Sequence, residues 1–171
     1  MTRQTKHATS RVTKEIIHFV LLMLSVFIGV QLLTSFVISK DIVHGISMEP
    51  TLKQNDRLLS LRHHAINRND IVVLEAPDAK NQLYIKRVIG LPGDSVQVVN
   101  DRLYLNGHYQ PESYLDKTFD QRATVPAGEY FVMGDNRIRS HDGRVFGFIK
   151  KDTIQSVVVW RYWPLNRWET F

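Results

Sequence analysis

The sequence has no cysteine among its 171 residues. This absence excludes disulfide bonds, thiolate metal ligands and a cysteine nucleophile, although a chain without disulfides can still work outside the cell. Its histidines show no metal-ligand spacing such as His-Glu-x-x-His, so no metal or other cofactor is expected. With 43% hydrophobic and 23% charged residues, the composition is that of a globular protein with room for one domain.

Excess positive charge is confined to one end of the chain. The formal net charge is +5 and the pI is about 9.6, values that raise the question of a nucleic-acid partner. Arg3, Lys6, Arg11 and Lys14, set against Glu15, give the first fifteen residues +3 of that charge. Because the excess lies in a tail and not across a binding face, no nucleic-acid partner is expected.

A long apolar segment, residues 16–39, follows the basic tail and carries no formal charge. About 20 such residues in a helix span a hydrocarbon core of about 30 Å. A cleaved secretory signal or a buried soluble helix are the alternatives, since His18 and Gln31 interrupt the apolar run. The segment continues into Lys40 and Asp41 without a small-x-small cleavage site, which favours a retained transmembrane helix in a lipid bilayer.

The uneven charge on the two sides of this segment predicts its orientation. Basic residues concentrate before it, so the positive-inside rule predicts that residues 1–15 form a cytoplasmic tail. Residues 16–39 are then the single membrane span, and residues 40–171 form a domain on the extracellular side.

The exported part is predicted to be mainly β, because short runs rich in β-branched and aromatic residues alternate with turn signals. The predicted strands are Asp70 to Leu74, Gln82 to Ile89, Ser95 to Val99, Arg102 to Leu105, Glu129 to Met133 and Thr153 to Tyr162. Asn100-Asp101 and Asn106-Gly107 are typical hairpin turns on either side of the fourth run. The polar segment Pro111 to Arg122 is predicted to be a surface loop.

Three segments contain residue types that fit one kind of chemistry. They read HGISMEPTL at 44–52, YIKRVIGLPGD at 84–94 and MGDNRIRSHDGRVFG at 133–147. In this order, after an amino-terminal span, they resemble the signature boxes of bacterial type I signal peptidases. The compact size and single span are similar to the Gram-positive form. The resemblance implies a signal-peptidase-like antiparallel β catalytic domain that removes signal peptides from exported preproteins near the secretion translocase.

The residues themselves suit a serine and lysine dyad. Ser47 lies between Gly45 and Pro50, where a turn can expose its hydroxyl, but a serine needs a base to become a nucleophile. Strand alternation places Lys86 on the same face as Tyr84 and Val88. Burial among such apolar neighbours would lower the pKa of Lys86 from its model value near 10.4 and make it a usable base near neutral pH.

The resemblance also implies supporting residues. Ser140 corresponds to a serine that hydrogen-bonds the lysine, and Asp142 and Arg144 correspond to an ion pair that braces the site. Residues 134–137, Gly-Asp-Asn-Arg, are expected to form a turn near the active centre that supports it. Gly143 occupies the position of a second family serine, whose role is left in doubt. Gly45 stands where some relatives supply an oxyanion-hole hydroxyl, so backbone N–H groups, including that of Ser47, would have to bind the oxyanion.

The resemblance further implies where substrate binds. The predicted wall of the binding groove consists of Val43, Met48, Tyr84 and Ile85. A substrate added as a strand would point the residues one and three before the cut into that wall. Bulky wall residues leave shallow apolar pockets, so small residues such as alanine are expected at both positions.

Three alternatives to this function can be weighed from the sequence. A triad of Ser47, His141 and Asp142 is disfavoured, because adjacent residues in an extended segment point to opposite faces. Self-cleaving repressor-type peptidases also use a Ser/Lys pair, but they are soluble. An anchored β module that binds a partner without catalysis would not need both Ser47 and Lys86.

Overall fold

The computed structural model describes residues 3–100, 102–111 and 121–171, with side chains from residue 13 onward except at position 121. The chain divides into two compact units, one that ends at Val37 and one that begins at Ile38.

The first unit is helix α1, Arg3–Val37. Its part Thr13–Val37 is long and apolar enough to cross a membrane, judged by length and composition. The helix ends before the predicted limit at Ser39, because Ile38 and Ser39 already belong to the first strand. The assignment of residues 16–39 to a membrane span stays a prediction.

The second unit is built mainly from strands joined by turns and short helical segments. The strands are β1 (Ile38–Ile42), β2 (Arg57–Leu61), β3 (Ile71–Glu75), β4 (Leu83–Gly90), β5 (Ser95–Val99), β6 (Arg102–Leu105), β7 (His108–Gln110), β8 (Gln121–Thr124), β9 (Glu129–Met133), β10 (Ile149–Lys150), β11 (Ile154–Trp163) and β12 (Glu169–Thr170). Helix α2 is Gly143–Phe146, and 3₁₀ turns occupy Arg137–Arg139, Lys151–Thr153 and Leu165–Arg167.

In the described residues the strands form two antiparallel sheets. The larger has the order β1-β2-β11-β3-β4-β9-β10, with β12 paired to β11, and the smaller has the order β7-β6-β5-β8. The prediction of a mainly antiparallel β fold with one amino-terminal apolar helix is therefore confirmed.

The central strand β3 is buried on both faces. Val72 and Leu74 pack with Val88 on one side, whereas Ile71 and Val73 pack on the other with the segment that carries Met48. A strand covered on both faces is expected to read as a continuous apolar run, as IVVL does. A third cluster, around Phe131 and Val96 and their neighbours, joins the small sheet to β4 and β9.

All six predicted strands are present, with ends displaced by at most one residue. Asn106-Gly107 is a turn between two paired strands, whereas Asp101 of the other predicted hairpin turn lies outside the described residues. Residues 112–120 of the predicted loop are also outside them. The prediction of a loop through Arg122 was wrong at its end, because Gln121–Thr124 pairs with β5 as strand β8.

Candidate active site

Ser47 lies in the turn between β1 and β2 and is held there from both sides. Met48 and Leu52 are buried beneath it, and the Leu52 N–H donates to the Met48 carbonyl at 2.9 Å. On the other side, in the turn after β9, the Asn136 N–H donates to the Ser47 carbonyl at 2.9 Å, and the Asn136 side-chain amide donates to the Ile46 carbonyl at 3.1 Å. The Ser47 turn is thus fixed through its backbone, and the Ser47 hydroxyl takes no part in holding it.

Lys86 points at that hydroxyl. Its Nζ lies 2.9 Å from Ser47 Oγ and 3.2 Å from the Ile85 carbonyl oxygen, and the residue is only 4% exposed. Burial lowers the pKa of Lys86, and the negative charges of Asp142 and Asp78 oppose that shift without reversing it. A lysine with a lowered pKa holds more of the neutral amine that can accept the Ser47 proton.

Asp142 and Arg144 form a buried ion pair beside the dyad. Arg144 Nε lies 2.9 Å from Asp142 Oδ1, and the other carboxylate oxygen accepts the Gly134 N–H at 2.9 Å. Burial alone would raise the pKa of Asp142, but the hydrogen bonds and charge of Arg144, together with the Gly134 N–H, lower it. The Asp142 carboxylate therefore stays ionised and connects helix α2 to the end of β9.

Ser140 adjoins this pair. Its hydroxyl oxygen is buried near the Asp142 carboxylate but has no hydrogen-bond partner of normal geometry among the described residues. Among the described residues no hydrogen bond joins the Ser140 hydroxyl to Lys86. The orienting role implied for Ser140 stays a prediction.

Two glycines allow the close approach of backbone segments around the dyad. A Cβ at Gly134 would collide with Ser140 Oγ and with the Ser47 carbonyl oxygen, and a Cβ at Gly143 would lie 2.8 Å from both the Phe131 ring and the Val132 carbonyl oxygen. Gly143 therefore fills a position where a serine side chain has no room.

The backbone conformation at position 45 explains why glycine occurs there. Its φ is +87°, in the region that glycine adopts without strain, and its N–H donates to Gln54 Oε1 at 2.6 Å. Among the described residues no hydrogen bond uses the Ser47 N–H. That donor is therefore not used within the fold, as a donor to an oxyanion must be.

The predicted wall residues Val43, Met48, Tyr84 and Ile85 line one groove of about 340 Å³ that also contains Ser47 and Lys86. The two strands that line this groove, β1 and β4, each have an unpaired edge. Among the described residues β1 pairs only with β2, and β4 pairs with β9 only from Arg87 onward. The groove therefore presents unpaired backbone groups on two sides, as a site for an added strand requires.

The contacts of His141 give the alternative triad no support. His141 Nε2 hydrogen-bonds to Asp78, whereas the Asp142 carboxylate bonds to Arg144 and to the backbone of Gly134. The partner of the Ser47 hydroxyl is Lys86.

In the described residues there is no group of three or more His, Asp or Glu side chains placed to hold a metal ion.

The sequence predicted a supporting turn at 134–137, but it predicted neither the partners of that turn nor the contact between Asp78 and His141. Asn136 anchors the Ser47 turn, and Asp135 forms an ion pair with Arg87 at 2.7 Å, next in sequence to the dyad lysine. Both residues belong to the turn Gly-Asp-Asn-Arg at 134–137, where the Asp135 carboxylate accepts from the Arg87 guanidinium and the Asn136 amide donates to the Ile46 carbonyl. Asp78 had no local signal, and His141 was considered only as a member of the alternative triad.

Comparison with known proteins places the chain among peptidases. A family model described as signal peptidase, peptidase S26 matches residues 16–163. Signal peptidase IB of Staphylococcus aureus (strain COL) is 32% identical over 181 aligned positions, which cover 91% of this chain and 94% of that protein. Signal peptidase I of Bacillus caldolyticus is 42% identical over 159 positions, which cover 81% and 86%. A crystal structure of a signal peptidase I from Enterococcus faecalis V583 matches with a TM-score of 0.48 and 36% identity, covering 55% of this chain and 97% of that one.

Proposed function

The chain belongs to the signal peptidase family S26, and we propose that Ser47 is its nucleophile and Lys86 its general base. Its function is that of a type I signal peptidase, a serine endopeptidase that removes amino-terminal signal peptides from exported preproteins. The observation that carries the residue assignment is the 2.9 Å contact between Lys86 Nζ and Ser47 Oγ, made by a lysine that is 4% exposed.

In the first half of the reaction, neutral Lys86 accepts the Ser47 hydroxyl proton as Ser47 Oγ bonds to the carbonyl carbon of the scissile peptide. The Ser47 N–H stabilises the negative oxygen that forms. The Lys86 ammonium then gives its proton to the leaving amine, the C–N bond breaks, and the signal peptide remains as an ester on Ser47.

In the second half, water attacks this ester while Lys86 again serves as base. The ester C–O bond breaks, Ser47 regains its proton from Lys86, and the signal peptide leaves with a free carboxylate. One buried lysine thus alternates between base and acid, which is why its pKa must lie near the working pH.

The test of the nucleophile uses the full-length enzyme in detergent with a purified preprotein. Ser47→Ala should abolish cleavage, because no other hydroxyl contacts Lys86 Nζ among the described residues. Ser95→Ala, in the small sheet, is the matched control and should cleave at the wild-type rate with the same new amino terminus. Cleavage by a folded Ser47→Ala enzyme at a rate near wild type would refute the assignment.

Substrate choice follows from the groove. A preprotein added as a strand along the open edge of β1 or β4 would direct alternate side chains toward Val43, Met48 and Ile85. Small residues are therefore required one and three positions before the cut, and the residue between them varies.

This prediction is tested by placing phenylalanine at each of the three positions of a model preprotein. Cleavage should fall at the first and third positions and persist at the second. Equal cleavage of all three variants would show that the groove does not select small residues.

Membrane placement completes the proposal. The basic tail keeps the amino terminus in the cytoplasm, α1 spans the bilayer, and the β unit meets preproteins outside as they leave the translocase. The exposed rings of Trp163 and Trp168 suit a lipid headgroup region, whereas Trp160 is half-buried and meets the Trp168 ring edge to face, with centroids 6.1 Å apart. Protease added outside sealed cells should digest the β unit and leave the tail intact; the reverse pattern would overturn the orientation.

A further inference from the structure

A polar cluster beside the dyad has no part in the proton transfers above. Asp78 lies in the turn between β3 and β4, and His141 lies between Ser140 and Asp142. His141 Nε2 hydrogen-bonds to one Asp78 oxygen, and the Tyr84 hydroxyl donates to the other at 3.1 Å. Because a carboxylate can only accept, the Nε2 atom of His141 carries the proton in this contact.

Tyr84 links this cluster to the catalytic lysine. Its ring centroid lies 5.1 Å from Lys86 Nζ, and the ring also packs against His141 and Phe146, each with centroids 6.4 Å apart. The ring is therefore fixed at its hydroxyl end by Asp78 and at its sides by two other rings.

We propose that Asp78 and His141 are a positioning pair that holds the Tyr84 ring over Lys86 Nζ and ties the β3–β4 turn to the Ser140–Asp142 segment. Neither residue touches the reacting atoms. The proposal rests on Lys86 as the general base, and its consequence is that the pair keeps water away from the lysine.

The magnitudes favour water exclusion as the main effect of the ring. An aromatic face attracts an ammonium only weakly, and this attraction favours the charged form. Loss of water around a lysine can move its pKa down by several units. Burial is the largest influence on the pKa of Lys86, so releasing the Tyr84 ring should raise that pKa.

The charge of Asp78 acts in the opposite direction. The charged and titratable groups facing Lys86 are Asp142 with its partner Arg144, Asp78 with its partner His141, and Tyr84 on the same strand. Asp78 is the weaker of the two acidic influences, and it raises the pKa of Lys86. Removing only its charge should lower that pKa slightly, whereas removing its side chain should raise it.

Two substitutions at Asp78 separate these effects in the full-length enzyme. Asp78→Ala removes the acceptor of the Tyr84 hydroxyl, and the acid limb of kcat/KM should move up by about 0.7 pH unit, a loss of about fivefold below the apparent pKa that recovers at high pH. Asp78→Asn keeps one acceptor oxygen for the Tyr84 hydroxyl, and its amide N–H can donate to Nε2 of the other His141 tautomer, so its acid limb should not move up. Glu75→Gln removes a carboxylate from the same hairpin and should match wild type.

His141→Ala gives an independent test. It should move the acid limb in the same direction as Asp78→Ala, and the double variant should shift no further than Asp78→Ala alone, because paired residues are not additive. If Asp78→Ala fails to fold, His141→Ala decides by the direction of its shift alone.

Wild-type pH profiles in Asp78→Ala and His141→Ala, or equal shifts in Asp78→Ala and Asp78→Asn, would overturn the positioning pair. A failure of the dyad itself looks different. It would show as activity in a folded Lys86→Met enzyme, whatever the Asp78 variants do.

Discussion

Gly134→Ala tests how closely the fold holds the nucleophile turn. Gly134 directly follows strand β9, and its N–H donates to the buried Asp142 carboxylate. A Cβ at this position would overlap Ser140 Oγ and the Ser47 carbonyl oxygen. Neither obstacle is the free end of a long side chain, since one is backbone and the other a short hydroxyl. The Ser47 turn must therefore move by several tenths of an ångström.

The expected size of the effect follows from that displacement. Overpacking a well-filled site costs about 1–3 kcal/mol. In a domain of this size the melting temperature should fall by roughly 2–12 °C. A misplacement of about 1 Å can cost about a hundredfold in rate, so a shift of several tenths should lower kcat about tenfold.

The assay measures kcat on a purified preprotein at a temperature well below melting, with thermal unfolding recorded in parallel. Gly29→Ala is the matched control, because a Cβ at Gly29 meets nothing within 4 Å. A Gly134→Ala enzyme with wild-type kcat and wild-type melting temperature would refute the tight contact between Gly134 and the Ser47 turn.

Three further predictions concern charge and packing at the site. Because burial lowers the pKa of Lys86 and only its neutral form is a base, kcat/KM should rise with pH through an apparent pKa below that of free lysine, and an optimum near pH 5 in a rate profile would contradict this. Asp142→Leu should destabilise the fold by about 3–5 kcal/mol in chemical denaturation, because it leaves the Arg144 charge buried without the Asp142 carboxylate. Asp142→Leu combined with Arg144→Met should recover much of that loss. Equal instability of the single and the double variant would count against the ion pair. Gly143→Ser should lower the melting temperature because the added side chain meets Phe131 and a backbone carbonyl, so an unchanged value would mean that α2 can shift freely.

The sequence predicted those strands whose apolar pattern is visible within the strand itself. The run IVVL of β3 is apolar at every position because the strand is covered on both faces, and the predicted strand is present. Strands β1 and β2 were missed. Ile38–Ile42 contains Lys40 and Asp41, so nothing local separates it from a loop, and it becomes a strand only through its pairing with Arg57–Leu61.

The same distinction applies to the site. Ser47 and Lys86 were predicted from motifs 39 positions apart, and the structure brings them within hydrogen-bonding distance. The partners of Asn136 and Asp78 were not predicted, because they lie 90 and 63 positions away and the sequence around both residues is that of an ordinary turn. Contacts made by a polar side chain to distant backbone or to a single distant residue leave no period or spacing in the sequence.

The most direct measurement is the rate of preprotein cleavage by full-length Lys86→Met, with its folding checked by thermal unfolding and with Lys150→Met, an exposed lysine on β10, as the matched control. Methionine keeps most of the volume of the buried side chain and removes only the base, so the variant should stay folded. A general base commonly contributes about 10²–10⁴-fold in rate, and cleavage should fall by at least that range at every pH while Lys150→Met cleaves as wild type does. A folded Lys86→Met enzyme that processes the preprotein at the wild-type rate would contradict the Ser47 and Lys86 dyad.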